Sequence, residues 1–308
     1  MAHLFMGVSN LKKFLINIAI FFAILVVVDF SLGKIFHFIQ ARAGGRTGTE
    51  YYVCERASED VIIMGSSRAS HHYVPEIITE KTGMSCFNAG QDGNGIILQY
   101  GRWKMLSERY SPKLLIYDVN PDFDLCKNDN MTYVDRLKPF CSNADVRHYV
   151  TGMYHMEELK LFSQMYRYNY KIIEMTSDCV KNGEDKLKGY IPLVGEIRKE
   201  VVDAPRLINK TTIDYDEIKN YYLEQLAKEC KDKGTELVFV ASPSFRGGGY
   251  GIEAFDAVRK IAEKYDLPFL YYYESEYSEN PKIFKDSQHL NDEGAHMFTE
   301  DMASRISL

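Results

Sequence analysis

The chain opens on an apolar run that no later segment matches. From Phe14 to Val28 every residue except Asn17 is apolar, the run continues past Asp29 to about Phe36, and Lys12 and Lys13 precede it. A spanning helix needs roughly 20 such residues and a secretory core about 7–15, so the run falls between the two. The small-x-small triplet Ala41-Arg42-Ala43 lies beyond Lys34 and His37, far downstream for signal peptidase. The pattern predicts an uncleaved signal-anchor over residues 1–36, with the paired lysines cytoplasmic and the remainder exported to the outer side of the cell membrane. A cleaved signal peptide and a buried soluble helix are the alternatives.

Residues 37–50 contain the polar, glycine-rich stretch ARAGGRTGTE, which predicts a short flexible linker. From residue 51 to 308 the pattern becomes that of a globular domain. Short β-rich runs alternate with helical ones: DVIIMG a strand, PEIITEKTG a helix, SCFNAG a strand, GIILQYGRWKMLSERY a helix, KLLIYDVN a strand. The stretch from about 129 to 212 breaks the rhythm and predicts a mainly helical insertion, with one helix over 156–175. Afterwards DYDEIKNYYLEQLAKECKDKG reads as a helix, TELVFVASP as a strand, IEAFDAVRKIAEKYD as a helix and LPFLYYY as the last strand. Such alternation predicts an α/β fold whose parallel sheet is covered on both faces, a three-layer sandwich.

Composition narrows the function. The 308 residues are 45% hydrophobic and 26% charged, enough for one sizeable core, and the net charge of -6 argues against general nucleic-acid binding, which needs a cationic surface. Six cysteines show neither a CxxC pair nor a metal-like spacing, so no metal and no cofactor are expected. Export would permit disulfides, and Cys126 with Cys141 is the first pair to test, with unpaired buried thiols an alternative of at least equal weight.

The stretch VIIMGSSRASHH, residues 61–72, runs a strand into a glycine and then into hydroxyls, an arginine and two histidines. In α/β sheets chemistry collects at the carboxyl ends of strands, so a serine there is a candidate nucleophile. A serine needs a base held by a carboxylate, and Asp286 and His289, three apart in FKDSQHLNDEGAHMF, supply both from one loop. Ser66 and Ser67 could otherwise satisfy backbone groups at a turn. His71 and His72, adjacent and without acidic partner spacing, read as loop residues rather than metal ligands, and His296 as a helix-surface histidine. The tyrosine clusters YRYNY and LYYYESEY could stack on sugars or merely pack, and RGGGYG reads as a mobile loop beside the cleft.

These blocks, in this order, resemble the SGNH (GDSL-type) hydrolase family. Gly65-Ser66-Ser67 is similar to its first block, with Ser66 where an aspartate is usual and Ser67 in the nucleophile's place. FNAGQDGNG resembles the second block, with Gly93 as backbone oxyanion donor, and Asp286-Ser287-Gln288-His289 the last. The third block is represented by Asn120 in LLIYDVNPDFD, without its usual glycine; Asp118 could instead be a structural residue at the strand end. The resemblance implies an SGNH hydrolase, flavodoxin-like fold with catalytic Ser67, Asp286 and His289 and an oxyanion hole of Gly93 and Asn120. Arg68 is a candidate for holding an anionic substrate group, or else packs on a helix.

The Gly-Ser-Ser variant together with an anchor resembles the family's membrane-tethered branch, which includes a D-alanyl-transfer protein of the teichoic-acid pathway and polysaccharide O-acetyltransferases and esterases. The implied activity is deacylation of a cell-envelope glycan through an acyl-enzyme. The alternatives are acyl transfer to an exported polysaccharide with the same triad, and a non-catalytic envelope assembly module. Implied partners are an acylated carbohydrate or envelope polymer, the membrane through the N-terminal helix, a membrane-bound acyltransferase, and no nucleic acid.

Overall fold

A computed structural model describes residues 2–128, 131–153, 156–180, 187–206 and 213–306. Helices α1 (Ala2–Gln40) and α2 (Gly45–Glu55) precede β1 (Val61–Gly65), α3 (Ser67–His72), α4 (Pro75–Thr82), β2 (Cys86–Asn88), α5 (Ile96–Arg109) and β3 (Leu114–Asp118). Then come α6 (Met131–Val134), α7 (Ala144–Met153), α8 (Glu157–Lys160), α9 (Gln164–Tyr168), α10 (Ile172–Val180) and α11 (Lys199–Asp203). The chain closes with α12 (Glu217–Lys233), β4 (Glu236–Ala241), α13 (Asp256–Tyr265), β5 (Phe269–Tyr271) and α14 (Asp292–Arg305).

All five strands are parallel, in the order β2-β1-β3-β4-β5. Alternate side chains enter opposite cores. Ile62, Met64, Leu115, Tyr117, Leu237 and Phe239 pack with α5, α12 and α13, whereas Val61, Ile63, Leu114, Ile116, Val238 and Val240 pack with residues of α3, α4 and α14. Both faces are therefore covered, giving the expected three-layer α/β sandwich. Local signals set several boundaries: the Asp216 carboxylate accepts the Ile218 N–H at 2.9 Å to start α12, and Asn291 caps α14.

Strand order reverses between β1 and β3, the switch point beyond whose carboxyl ends α/β sheets commonly place a ligand crevice. The register pairs Gly65 with Asp118 and Asp118 with Val240, so the chain leaves β1, β3 and β4 at one level. Gly65 is indispensable to this close approach. Its φ is +145°, and a Cβ there would sit 2.6 Å from the Asp118 carbonyl oxygen.

Two expectations differ from what is observed, and the cysteines take the unpaired alternative. Residues 37–50 are not a flexible linker: α1 runs to Gln40 and α2 starts at Gly45. The cause is long-range, because Asp178 accepts the Gly44 N–H on its carbonyl and the Thr47 N–H on its carboxylate, both at 3.1 Å. The single helix expected over 156–175 is broken into α8, α9 and the start of α10, because Ser163 caps a fresh helix at α9. All six cysteines are free; Cys126 faces the Tyr250 hydroxyl and Cys141 is buried against Leu137, so these two do not pair. The expected ends of the insertion, near 129 and 212, lie outside the described residues. Helix α1 is long and apolar enough to cross a membrane from Asn10 to Gln40, a property that a signal sequence shares.

Candidate active site

Ser67 begins α3 directly beyond β1, and it is partly exposed while Ser66 beside it is fully buried. Its Oγ lies 2.8 Å from His289 Nε2, and His289 Nδ1 lies 3.0 Å from both carboxylate oxygens of Asp286. A carboxylate can only accept, so Nδ1 carries the imidazole proton and Nε2 is left to accept from the Ser67 hydroxyl. Burial pulls the Asp286 carboxyl upward, but the hydrogen bond and charge of His289, with the N–H groups of Gln288 and His289, hold it below the usual range. The loop is tightened by Lys285 N–H donating to the His289 carbonyl at 2.8 Å.

Asn120 follows β3 and comes to the same point. Its Nδ2 donates to Ser66 Oγ at 3.0 Å while its Oδ1 accepts the Asp122 N–H at 3.0 Å, which fixes the amide's orientation and leaves its second N–H uncommitted. Beneath it sits buried Asp124. That carboxylate accepts from the N–H groups of Asn120 and Ile96 and from the Tyr117 hydroxyl, tying the end of β3 to the start of α5. Burial pushes its carboxyl up to about 6 against those hydrogen bonds.

Gly93 lies in the turn between β2 and α5, with φ +69° and an exposed backbone whose N–H donates to no group among the described residues. The preceding Asp92 reaches His71 Nε2 at 3.2 Å, and the His71 ring stands edge-on to His289 with centroids 5.4 Å apart. The loop thus borders the Ser67–His289 pair. Burial lowers the His71 pKa, but hydrogen bonds to Asp92 and the Ile191 carbonyl outweigh it and raise the net value.

Arg68 does not face a substrate. It is fully buried, donates to the Val119 carbonyl at 2.6 Å, lies 3.5 Å from Asp118 and covers the ring of Tyr273. Asp118, which also accepts from the Tyr73 hydroxyl at 2.5 Å, is its buried counter-ion and holds the ends of β1 and β3 together. The substrate-binding expectation for Arg68 is corrected accordingly: a guanidinium with no exposed surface cannot meet a ligand.

Several supporting residues escaped the sequence reading. His72, expected in a loop, is buried in α3; its Nε2 accepts the Leu290 N–H at 3.0 Å and its Nδ1 donates to Ser242 Oγ at 2.9 Å, so it is neutral and anchors the residue after His289. Burial, with His289 and Arg68 nearby, sends its pKa well below the ordinary value. Ser244 Oγ and the Phe245 N–H both donate to the Ser287 carbonyl at 3.1 Å, so the two residues that precede RGGGYG prop the Asp286–His289 loop. Only the adjacency of His71-His72 to Ser67 signalled any of this in the sequence. Beside the site, a cavity of about 1270 Å³ is bordered by Ser70, Asp92, Tyr51, Tyr52, Phe87 and Tyr190; Ser67 is not in its lining.

No family model and no curated protein matches the chain. Among solved structures it is similar to a proposed acylhydrolase from Bacteroides fragilis, at 13% identity over 80% of this chain and 86% of that one, with a TM-score of 0.32. A likeness at that level carries no argument about the site, which rests on its own geometry.

Proposed function

We propose that this protein is a serine-dependent acyl ester hydrolase of the SGNH type, held at the outer face of a membrane by α1 and deacylating a cell-envelope glycan. The observation that carries the reading is the unbroken chain from Ser67 Oγ through His289 to Asp286, at 2.8 and 3.0 Å. In the first step Ser67 Oγ attacks the ester carbonyl while His289 Nε2 takes its proton, and Asp286 stabilises the imidazolium formed. The oxyanion is met by the free N–H of Asn120 and the backbone N–H of Gly93. Collapse expels the alcohol, which receives the proton from Nε2 and leaves an acyl-Ser67 ester. Water, deprotonated by the same nitrogen, then releases the acid and restores the serine.

Hydrolysis is favoured over transfer to a second hydroxyl because the Asp286 side chain is 50% exposed and that of His289 22%, so solvent reaches the base. The glycan reading is supported by the aromatic-lined cavity beside Ser70 and Asp92, whose rings could stack on sugar faces. A fluorophosphonate probe and p-nitrophenyl acetate turnover test the assignment on the full chain in detergent. Ser67→Ala should abolish both signals and Ser66→Ala retain labelling; labelling that survives Ser67→Ala and disappears in Ser66→Ala would overturn it.

A further inference from the structure

The insertion exposes several large apolar side chains, and three of them stand together in sequence: Met156, Leu159 and Phe162 are 72%, 68% and 63% exposed, while Ile173, Val180 and Val194 lie farther along it. The first three lie on or beside α8, just before the break that starts α9. That break is made by α1. Asp29 accepts from Ser163 Oγ at 2.8 Å, from the Gln164 N–H at 2.7 Å and from the Met165 N–H at 2.9 Å, so the first turn of α9 is capped by a side chain from the apolar helix. Gly33 lets the two helices touch, because any Cβ there would collide with Gln164. From this point α9 climbs alongside α1, and Tyr168 meets Phe36 with ring centroids 5.6 Å apart.

The contact fixes a height. From Lys13 to Asp29 the helix rises about 24 Å at 1.5 Å per residue, whereas the hydrocarbon core of a bilayer is about 30 Å thick. With Lys13 at one face, the level of Asp29 therefore falls about 6 Å short of the opposite face, in the outer end of the acyl region next to the headgroups. Phe162 immediately precedes the residue that bonds Asp29. The charges around the patch are already neutralised among themselves: Arg147 with Glu158 at 2.7 Å, and Glu157 with Lys160 at 2.9 Å and Lys138 at 3.4 Å. Arg147 also lies over the Phe162 ring, the arrangement of an interfacial aromatic with a snorkelling cation.

We infer that Met156, Leu159 and Phe162 form a second membrane contact, inserted into the outer headgroup and acyl boundary beside α1. This rests on the reading of α1 as a span. Two contacts at one level, joined through Asp29, define a plane rather than a pivot, so the globular domain sits on the bilayer in one orientation.

The test uses the full chain in phosphatidylcholine vesicles carrying a nitroxide near the headgroup end of the acyl chain, with Trp103 as a buried background. Phe162→Trp should lose fluorescence to the nitroxide lipid and lose less when the nitroxide sits at the chain terminus. Val27→Trp, on α1, should be quenched in both lipids, and Met297→Trp, on α14, in neither. Quenching of Val27→Trp without Phe162→Trp would overturn the second contact, leave the span intact and point to a protein on this face. Absence of quenching at both positions would overturn the span itself.

Discussion

Replacing Asn120 by alanine separates its two conceivable duties. The side chain is almost fully buried and makes two hydrogen bonds, accepting from the Asp122 N–H and donating to Ser66 Oγ. Asp122 is partly exposed, and water can replace the first; Ser66 is sealed, and its stranded hydroxyl should cost about 1–3 kcal/mol of folding stability. If the second N–H meets the oxyanion, turnover should also fall by about 10²–10³, or roughly 2.7–4 kcal/mol of transition-state stabilisation, with KM little changed. Ser66→Ala provides the control. It removes the same hydrogen bond but leaves the amide in place, so it should share the stability loss and lose less than about tenfold in rate. The assay is p-nitrophenyl acetate turnover in detergent with a denaturant titration of each variant. Should Asn120→Ala lose no more turnover than Ser66→Ala, its effect passes through Ser66, and Asn120 is not an oxyanion donor.

Three further outcomes follow from buried titratable groups. Arg68→Met strands Asp118 in the core and should cost about 3–5 kcal/mol of stability while leaving KM unchanged; a raised KM with unchanged stability would restore Arg68 as a ligand group. His72 is held neutral, its folded pKa far below 6.5, so its share of stability is present above 6.5 and lost as pH falls below it, by up to about 1.4 kcal/mol per pH unit. The unfolding midpoint of the wild type should therefore drop more steeply on acidification than that of His72→Gln, and equal slopes would contradict the neutral assignment. Glu50 is fully buried, yet Lys171, Arg136 and Arg102 overcome that burial and hold its carboxyl down at about 2. Its stabilisation is present above 4.5 and lost as pH falls toward 2, and Glu50→Gln should destabilise the fold at neutral pH by about 3–5 kcal/mol in denaturant melts, an effect whose absence would show the cluster to be decorative.

What was legible in the chain was what is local. Gly65-Ser66-Ser67 declares itself because a strand, a glycine with no room for Cβ and a hydroxyl are consecutive, and Asp286 with His289 because one short loop can carry both. The sheet was legible because β1, β2 and β3 are buried throughout, β4 is buried beyond its first residue, and each strand reads as an apolar run between helices. What failed depended on partners remote in sequence. Arg68 looks like a free cation beside a nucleophile until Asp118 and the Val119 carbonyl close around it. His72 looks like half of a polar pair until Ser242 and Leu290 fix its two nitrogens. The glycines of 44–48 suggest flexibility, and only Asp178, Lys171 and Arg136 from the insertion convert that stretch into the start of an ordered helix.

That conversion changes what the insertion is for. A glycine-rich tether would let the domain sweep a volume above the membrane, and the reach of the nucleophile would be set by linker length. Instead a continuous series of contacts joins α1 to the site. Asp29 binds the start of α9, Asp178 near the end of α10 binds the start of α2, and Glu50 in α2 pairs with Arg136 and Lys171 of the insertion and lies 3.8 Å from Arg102. Arg102 in turn donates to the Ala89 carbonyl and to Gln91 Oε1, both at 3.0 Å, two residues from Gly93. Arg46 reaches Asp92 at 2.6 Å, and Asp92 holds His71 beside His289. Each link is a buried or charge-assisted bond, so α1 is tied through the insertion to the loop that carries Gly93, the proposed backbone oxyanion donor. On the proposed reading of α1 as a span, these contacts would hold the domain at one height above the bilayer, and an ester substrate would have to be presented there.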